Sequence, residues 1–383
     1  MLNRAVGVIG QGFVGGSMTT VMAERGIDVL VYDKTGKVAP GGRQPKYYDR
    51  TVQLAGLDNL PPDRDELLAD DKVGQYVRTC ESEQTFIGIY FLCLPTPMKT
   101  DGSCDTTIVE EVLTSMSRVE GKRIAVVKST VPPGSTERWN KQFADTGLTV
   151  VFSPEFLREA TALDDTRNQK RIVLGGATKS VDKVKRFCES IWPQASTFKT
   201  TSANAEMVKY VTNIHLATKV ALANEFFQVC AALSDSGVDV SYDDVVRVAM
   251  EDERLGKSHW SVPGPMPSDD TFEPAFGFGG SCFIKDINAM ISLAKSLNVK
   301  PTVMNGAWEK NLEVRPQRDW EKLQGRAVVA EKSQNVEPII INENRYSDDI
   351  LFQSLTKTKN EELRKKYKLE GAFTEEDVKS VNT

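Results

Sequence analysis

The sequence predicts an α/β protein, with an N-terminal doubly wound parallel sheet joined by a long helix to a mainly helical central domain and a truncated C-terminal tail. Three observations carry this. The first 200 of the 383 residues alternate short β-branched or apolar runs with stretches of helical period. Residues Asn204 to about Ser234 are apolar-rich and free of Gly and Pro. A glycine-spaced turn follows the first apolar run.

The predicted strands are Ala5 to Ile9, Asp28 to Tyr32, Phe86 to Leu94, Arg123 to Lys128, Leu148 to Phe152, Arg171 to Leu174 and Thr197 to Lys199. After the long helix, helical period returns at Tyr242 to Met250 and near Ile287 to Leu297. Between them, Gly256 to Gly280 holds four prolines and five glycines, the mark of a long irregular loop. Beyond Val314 the chain turns polar, and Asn360 to Thr383 is dense in Lys and Glu, suited at most to one amphipathic helix. The expected domains are 1–203, 204–300 and a tail at 301–383.

Composition narrows the function. With 53 acidic against 48 basic residues, a net charge of −5 disfavours nucleic acid or an anionic membrane as main partner. Apolar runs of about half a dozen residues fall short of the roughly 18 that cross a bilayer, and the N-terminus shows no basic leader. The expectation is a cytoplasmic protein with no membrane partner. Six scattered cysteines without a CxxC pair argue against a disulfide framework, and two histidines, His215 and His259, argue against a metal centre. Acid–base work then falls to Lys, Asp, Glu or Cys.

Gly10, Gly12 and Gly15 form GxGxxG after a strand and at the head of a helix that begins with Phe13 and Val14, and Asp33 ends the next strand. In this Rossmann-like context the first glycine allows the turn, the second lets backbone approach a pyrophosphate, and the third lets helix and strand pack closely. The helix start offers amides to the phosphates. Asp33 would accept from a ribose diol and repel a 2′-phosphate, favouring NAD over NADP, a preference that neighbouring Lys34 weakens.

Cys282 lies in GFGGSCFIKD, where glycines permit close approach of a ligand and Lys285 and Asp286 follow within a turn. A nearby cation or helix start favours thiolate. Lys209 and Asn213, four apart, project from one helix face. STVPPGST (Ser129 to Thr136) and SPEFLREA (Ser153 to Ala160) follow strands, where open parallel sheets bind ligands.

With GxGxxG, LPTP (Leu94 to Pro97), STVPPGST, SPEFLRE, AEMVKYVTN and GFGGSC–KD in this order, the chain resembles the UDP-glucose/GDP-mannose dehydrogenase family over roughly residues 5 to 300. The resemblance implies NAD-dependent oxidation of the C6 alcohol of a nucleotide sugar to the carboxylate, with two hydrides transferred. Cys282 would be the nucleophile, forming a thiohemiacetal and then a thioester. Lys209 and Asn213 would steady the alkoxide, Asp286 and Thr130 would position water, and Glu155 would assist hydrolysis.

The resemblance also assigns Pro95, Thr96, Thr130 and Glu159 to the cofactor with the glycine turn. Glu155, Phe156, Leu157, Arg158, Glu159, Lys209, Asn213, Phe278 and Gly279 go to the substrate. It further implies a homodimer through helix 204–234. Glu155 and Glu159 read alone also suit helix capping. Ile284 and Ser261 stand where many members carry proline and arginine, and no AFKP-like motif follows Val314. UDP-glucose is the leading substrate. GDP-mannose, a β-hydroxyacid dehydrogenase reaction and non-catalytic NAD or sugar-nucleotide binding are the alternatives.

Overall fold

The computed structural model describes residues 4–45, 71–264 and 275–330. The tail expected at 360–383 and part of the loop expected at 256–280 lie outside them. The described chain divides into two compact units, one of residues up to 213 with 285–299 and 321–330, the other of 214–284 with 300–320.

The first unit is built on strands β1 (Ala5–Ile9), β2 (Asp28–Tyr32), β3 (Gly42–Arg43), β4 (Phe86–Leu92), β5 (Arg123–Val127), β6 (Leu148–Phe152), β7 (Arg171–Gly175) and β8 (Ser196–Thr200), in the order β3-β2-β1-β4-β5-β6-β7-β8. Its helices are α1 (Phe13–Glu24), α2 (Lys72–Ser82), α3 (Thr107–Ser117), α4 (Ser135–Gln142), α5 (Ala162–Arg167) and α6 (Thr178–Ile191). Side chains alternate between two cores. Ala5, Ile9, Tyr90, Leu92, Ala125 and Val127 join Tyr76, Leu113 and Trp139 on one face. Val6, Val8, Ile89, Phe91, Ile124 and Val126 join Met22, Val184 and Trp192 on the other. Burial on both faces is why these strands are unbroken apolar runs.

Three expectations are corrected. The sheet is not wholly parallel, because β6 and β7 meet antiparallel at Phe152 and Gly175. Helix α5 rises only about 9 Å, roughly half the span of a five-residue strand, so this connection does not carry the chain back to the start of β6. The strands at Phe86 and Arg123 stop at Leu92 and Val127, before the loops that carry Cys93 to Pro97 and Lys128 to Gly134. The short edge strand β3 has too little sequence to announce itself.

Helix α7 (Ser202–Asp235) is long and apolar enough to cross a membrane by length and composition, yet only 39% of its most apolar window is buried. It also carries Glu206, Lys209 and Lys219 in buried positions, which marks a helix of a folded protein. In the second unit, Ala223, Phe227 and Cys230 of α7 form a core with Tyr242 and Val246 of α8 (Tyr242–Ala249), Val262 and Phe276. Helix α9 (Cys282–Ser296) begins five residues before the expected start, since its apolar period runs back through Ile287 to buried Ile284. Helix α10 (Thr302–Val314) follows. Trp320 is buried against Trp308, and Met98 pairs with Val328 inside the first unit.

Candidate active site

The loop after β1 has the geometry of a dinucleotide cradle. Gly10 adopts φ +92°, and a Cβ there would meet the Cys93 carbonyl oxygen at 2.3 Å. A Cβ on Gly15 would come within 1.9 Å of the Gly10 carbonyl oxygen, so helix and turn touch backbone to backbone. Gly12, at the N-cap of α1, has nothing within 4 Å of the same position. Two glycines are therefore required by packing, and the third leaves space in front of free helix amides where a pyrophosphate fits.

Asp33 closes this cradle. One carboxylate oxygen accepts from the Gln11 N–H at 2.7 Å, and the other from the Thr35 N–H at 2.9 Å and hydroxyl at 2.6 Å. Partial burial raises its pKa, but these donors and the Lys37 charge outweigh it and hold the carboxyl below its ordinary value. The acceptor is thus ionised and fixed at the end of β2, as recognition of a ribose diol requires. Lys34 beside it is exposed.

The loops after β4 and β5 are tied together. The Ser129 hydroxyl donates to the Leu94 carbonyl and accepts the Leu94 N–H, and the Thr96 hydroxyl donates to the Thr130 carbonyl at 2.8 Å. This brings Pro95, Thr96 and Thr130 to the carboxyl edge of the sheet, beside the point where strand order reverses between β1 and β4.

Lys209 and Glu155 form a buried ion pair, with side chains 4% and 11% exposed. The Lys209 ammonium donates to Glu155 Oε1 and to the Glu155 carbonyl, both at 2.8 Å, and the Leu157 N–H donates to Glu155 Oε2 at 2.7 Å. Burial raises the Glu155 pKa, but Lys209 and the Leu157 amide outweigh it, so its carboxyl titrates below the ordinary value. One turn on, Asn213 donates to Asp286 Oδ2 at 2.6 Å, while Lys285 donates to Asp286 Oδ1 at 2.6 Å. Lys209 and Asn213 thus serve two separate carboxylates. Phe156 stacks under the Arg171 guanidinium, 3.9 Å from the ring centre. Arg158 is held by Asp165, and Glu159 by Arg326 at 2.7 Å, both pairs largely exposed.

Cys282 belongs to the second unit and opens α9, four residues before Asp286 on the same helix. Its sulfur lies 3.9 Å from the Ser281 hydroxyl. Elsewhere burial disarms the thiols, pushing Cys93 and Cys188 up to about 12 and Cys104 up to about 11. The GFGG loop ahead of Cys282 is clamped by α10 and the residue after it. Asn311 accepts from the Phe278 N–H at 2.7 Å and donates to its carbonyl at 3.0 Å. The Arg315 guanidinium lies so close that a Cβ on Gly279 would meet it at 2.5 Å.

Several residues of this region escape sequence reasoning. Lys128 is buried at the end of β5 and donates to Ser153 Oγ at 3.2 Å and the Pro154 carbonyl at 3.3 Å, and burial lowers its pKa. Arg326 lies over the ring of Phe13 and pairs with Glu159, 167 positions away. Asn311 and Arg315 sit where the sequence shows only a polar stretch. Among the described residues no group of His, Cys, Asp and Glu is placed to hold a metal ion.

Residues 4–194 match the NAD binding domain of the UDP-glucose/GDP-mannose dehydrogenase family, and residues 203–313 match its central domain. NAD is accordingly the dinucleotide of the cradle. The chain is similar to UDP-glucose 6-dehydrogenase AglM of Haloferax volcanii, 30% identical over 83% of this chain and 72% of that one. It is also similar to UDP-glucose 6-dehydrogenase TuaD of Bacillus subtilis, 29% identical over 80% of this chain and 63% of that one. A UDP-glucose dehydrogenase structure from the hyperthermophilic archaeon Pyrobaculum islandicum matches with a TM-score of 0.59 and 26% identity, over 81% of this chain and 68% of that one. The chain therefore spans about two thirds of the length of these proteins.

Proposed function

Since the chain belongs to the UDP-glucose/GDP-mannose dehydrogenase family, we propose that it oxidises the C6 alcohol of UDP-glucose to the carboxylate, giving UDP-glucuronate. The observation that carries this reading is the pairing of Lys209 with Glu155 and of Asn213 with Asp286 at the sheet's carboxyl edge, on an enzyme built to hold NAD. Bound NAD supplies the hydride acceptor.

Lys209 spends two of its three donors on Glu155, and the third N–H is available to the C6 oxygen as its charge develops. Cys282 thiolate adds to the aldehyde carbon, and the resulting thiohemiacetal loses its hydride and a proton to leave a thioester. Water then adds to the thioester carbonyl, and the C–S bond breaks to give carboxylate and thiolate. Thr130 and Asp286 position that water and Glu155 accepts its proton. Leu157, Phe156, Arg158, Glu159, Phe278 and Gly279 contact the sugar side.

Second, we propose that the protein is a homodimer. On α7, Met207, Val211, Leu222, Phe226, Val229 and Leu233 are exposed and recur at helical period, an apolar stripe that calls for cover.

The test is turnover of purified protein with NAD and either UDP-glucose or GDP-mannose. Two NADH per UDP-glucuronate is the expected result, and Cys282→Ala is expected to abolish turnover while NAD affinity stays within about twofold of wild type. One NADH with release of free aldehyde, or activity surviving in Cys282→Ala, would overturn the scheme. Faster turnover of GDP-mannose would reassign the substrate.

A further inference from the structure

Helix α7 presents three buried polar residues at i, i+3 and i+7, namely Glu206, Lys209 and Asn213. Lys209 meets the loop after β6 and Asn213 meets Asp286. Glu206 has no part in the chemistry above. Its carboxylate is fully buried, and each oxygen takes a backbone N–H, one from the loop after β5 and one from the first turn of α4. Gly134 donates to Oε2 at 2.6 Å and Thr136 donates to Oε1 at 2.9 Å.

That loop carries Thr130. Its near end is fixed to the turn after β4, through Ser129 on Leu94 and Thr96 on the Thr130 carbonyl. Its far end leads into α4, which Asn140 ties to Val150 of β6. Gly134 sits at φ +94° as the N-cap of α4 with no side-chain cap of its own, so Glu206 supplies from another helix the acceptor that a capping residue would give. Because Glu206 and Lys209 are one turn apart on one rigid helix, the carboxylate sets the distance between the Thr130 loop and the Lys209 ammonium.

We propose that Glu206 is a positioning residue that holds the Thr130 loop in register with Lys209, and that the step depending on it is hydrolysis of the Cys282 thioester. This rests on the thioester reading given above. Hydride transfer needs Lys209 and Cys282, whereas Glu206 bonds to the amides of Gly134 and Thr136. Hydrolysis needs a water fixed from the Thr130 side, so loosening the loop slows that step selectively.

The test is rapid-mixing kinetics of Glu206→Gln with NAD and UDP-glucose, beside Thr130→Ala and wild type. Gln keeps the shape but turns one acceptor into a donor facing an N–H. The expected result is a fast burst of two NADH per site followed by turnover about 10- to 100-fold slower than wild type. The thermal midpoint should fall by a few degrees as one buried N–H loses its acceptor, while the burst rate stays close to wild type and mass spectrometry shows the acyl adduct on Cys282. A structural lesion alone would slow the burst and the turnover together, and that result overturns the proposal. So does unchanged turnover.

If Thr130→Ala gives the burst and Glu206→Gln does not, the thioester reading stands and the positioning role falls. If neither variant nor wild type forms an adduct on Cys282, the thioester reading itself falls and takes the proposal with it. Should Glu206→Gln fail to fold, Gly134→Ala loosens the same loop from its other side. Its Cβ would meet nothing within 4 Å, while its φ of +94° disfavours alanine. A smaller burst-and-slow phase is expected there, and wild-type kinetics would overturn the proposal.

Discussion

Glu155→Gln measures how the buried pair with Lys209 contributes to folding, and its outcome depends on pH in a way that packing alone cannot imitate. Removing one partner of a buried ion pair costs about 3–5 kcal/mol when the other charge is left bare. Here Gln keeps an acceptor toward Lys209, which also retains the residue 155 carbonyl, while the Leu157 N–H loses a carboxylate oxygen. The loss at pH 7 is then about 2–3 kcal/mol.

The Glu155 carboxyl titrates below the ordinary value in the folded protein, and near about 4.3 in the unfolded chain. Its stabilisation is therefore fully present above the unfolded value and disappears as pH falls through the folded one. Urea unfolding of wild type and variant at intervals from pH 8 downward checks this. The gap should be flat from pH 8 to about 5 and shrink below about 4. A gap that stays constant or widens toward acid refutes the reasoning, since it would place the cost in packing and not in the charge.

Three further outcomes follow from the geometry. Gly15→Ala should destabilise the protein by about 1–3 kcal/mol or prevent folding, because its Cβ would meet the Gly10 carbonyl oxygen at 1.9 Å. Gly12→Ala should fold normally and lose about tenfold or more in NAD affinity by calorimetry, because its Cβ enters open space that the cofactor needs. Phe226→Glu should shift the sedimentation coefficient from dimer to monomer, and an unchanged coefficient would leave the α7 stripe without that role.

What the sequence reveals is what depends on near neighbours along the chain. GxGxxG with Asp33 is legible because strand, turn and helix follow one another, and Lys209 with Asn213 is legible as a helical spacing. Glu206 stands in the same AEMVKYVTN stretch and is not legible, since its partners are 70 and 72 positions away. Arg326 against Glu159, and Asn311 against Phe278, are hidden for the same reason. The reversal at β7 is hidden because Arg171 to Gly175 reads the same in either direction, and only the short rise of α5 decides it. Lys128 reads in the sequence as the last residue of a strand. Its role emerges only when Ser153 and Pro154 are seen beside it.

Helix α7 shows why composition misleads here. At about 100° per residue, Glu206, Lys209 and Asn213 fall within roughly 60° of one another. Met207, Val211, Leu222, Phe226, Val229 and Leu233 cluster about 180° away by the same arithmetic. These polar groups are buried among Ala205, Tyr210, Ala217 and Ala223, while large apolar side chains are exposed on the other side of the helix. Interior positions are given to polar groups because each has a fixed partner of its own: backbone amides for Glu206, a carboxylate for Lys209, and a second carboxylate for Asn213. An apolar exposed face is costly to leave in water, so the same helix that aligns the candidate catalytic groups also demands cover from outside. On this account Phe226→Glu should alter assembly first and turnover only through it.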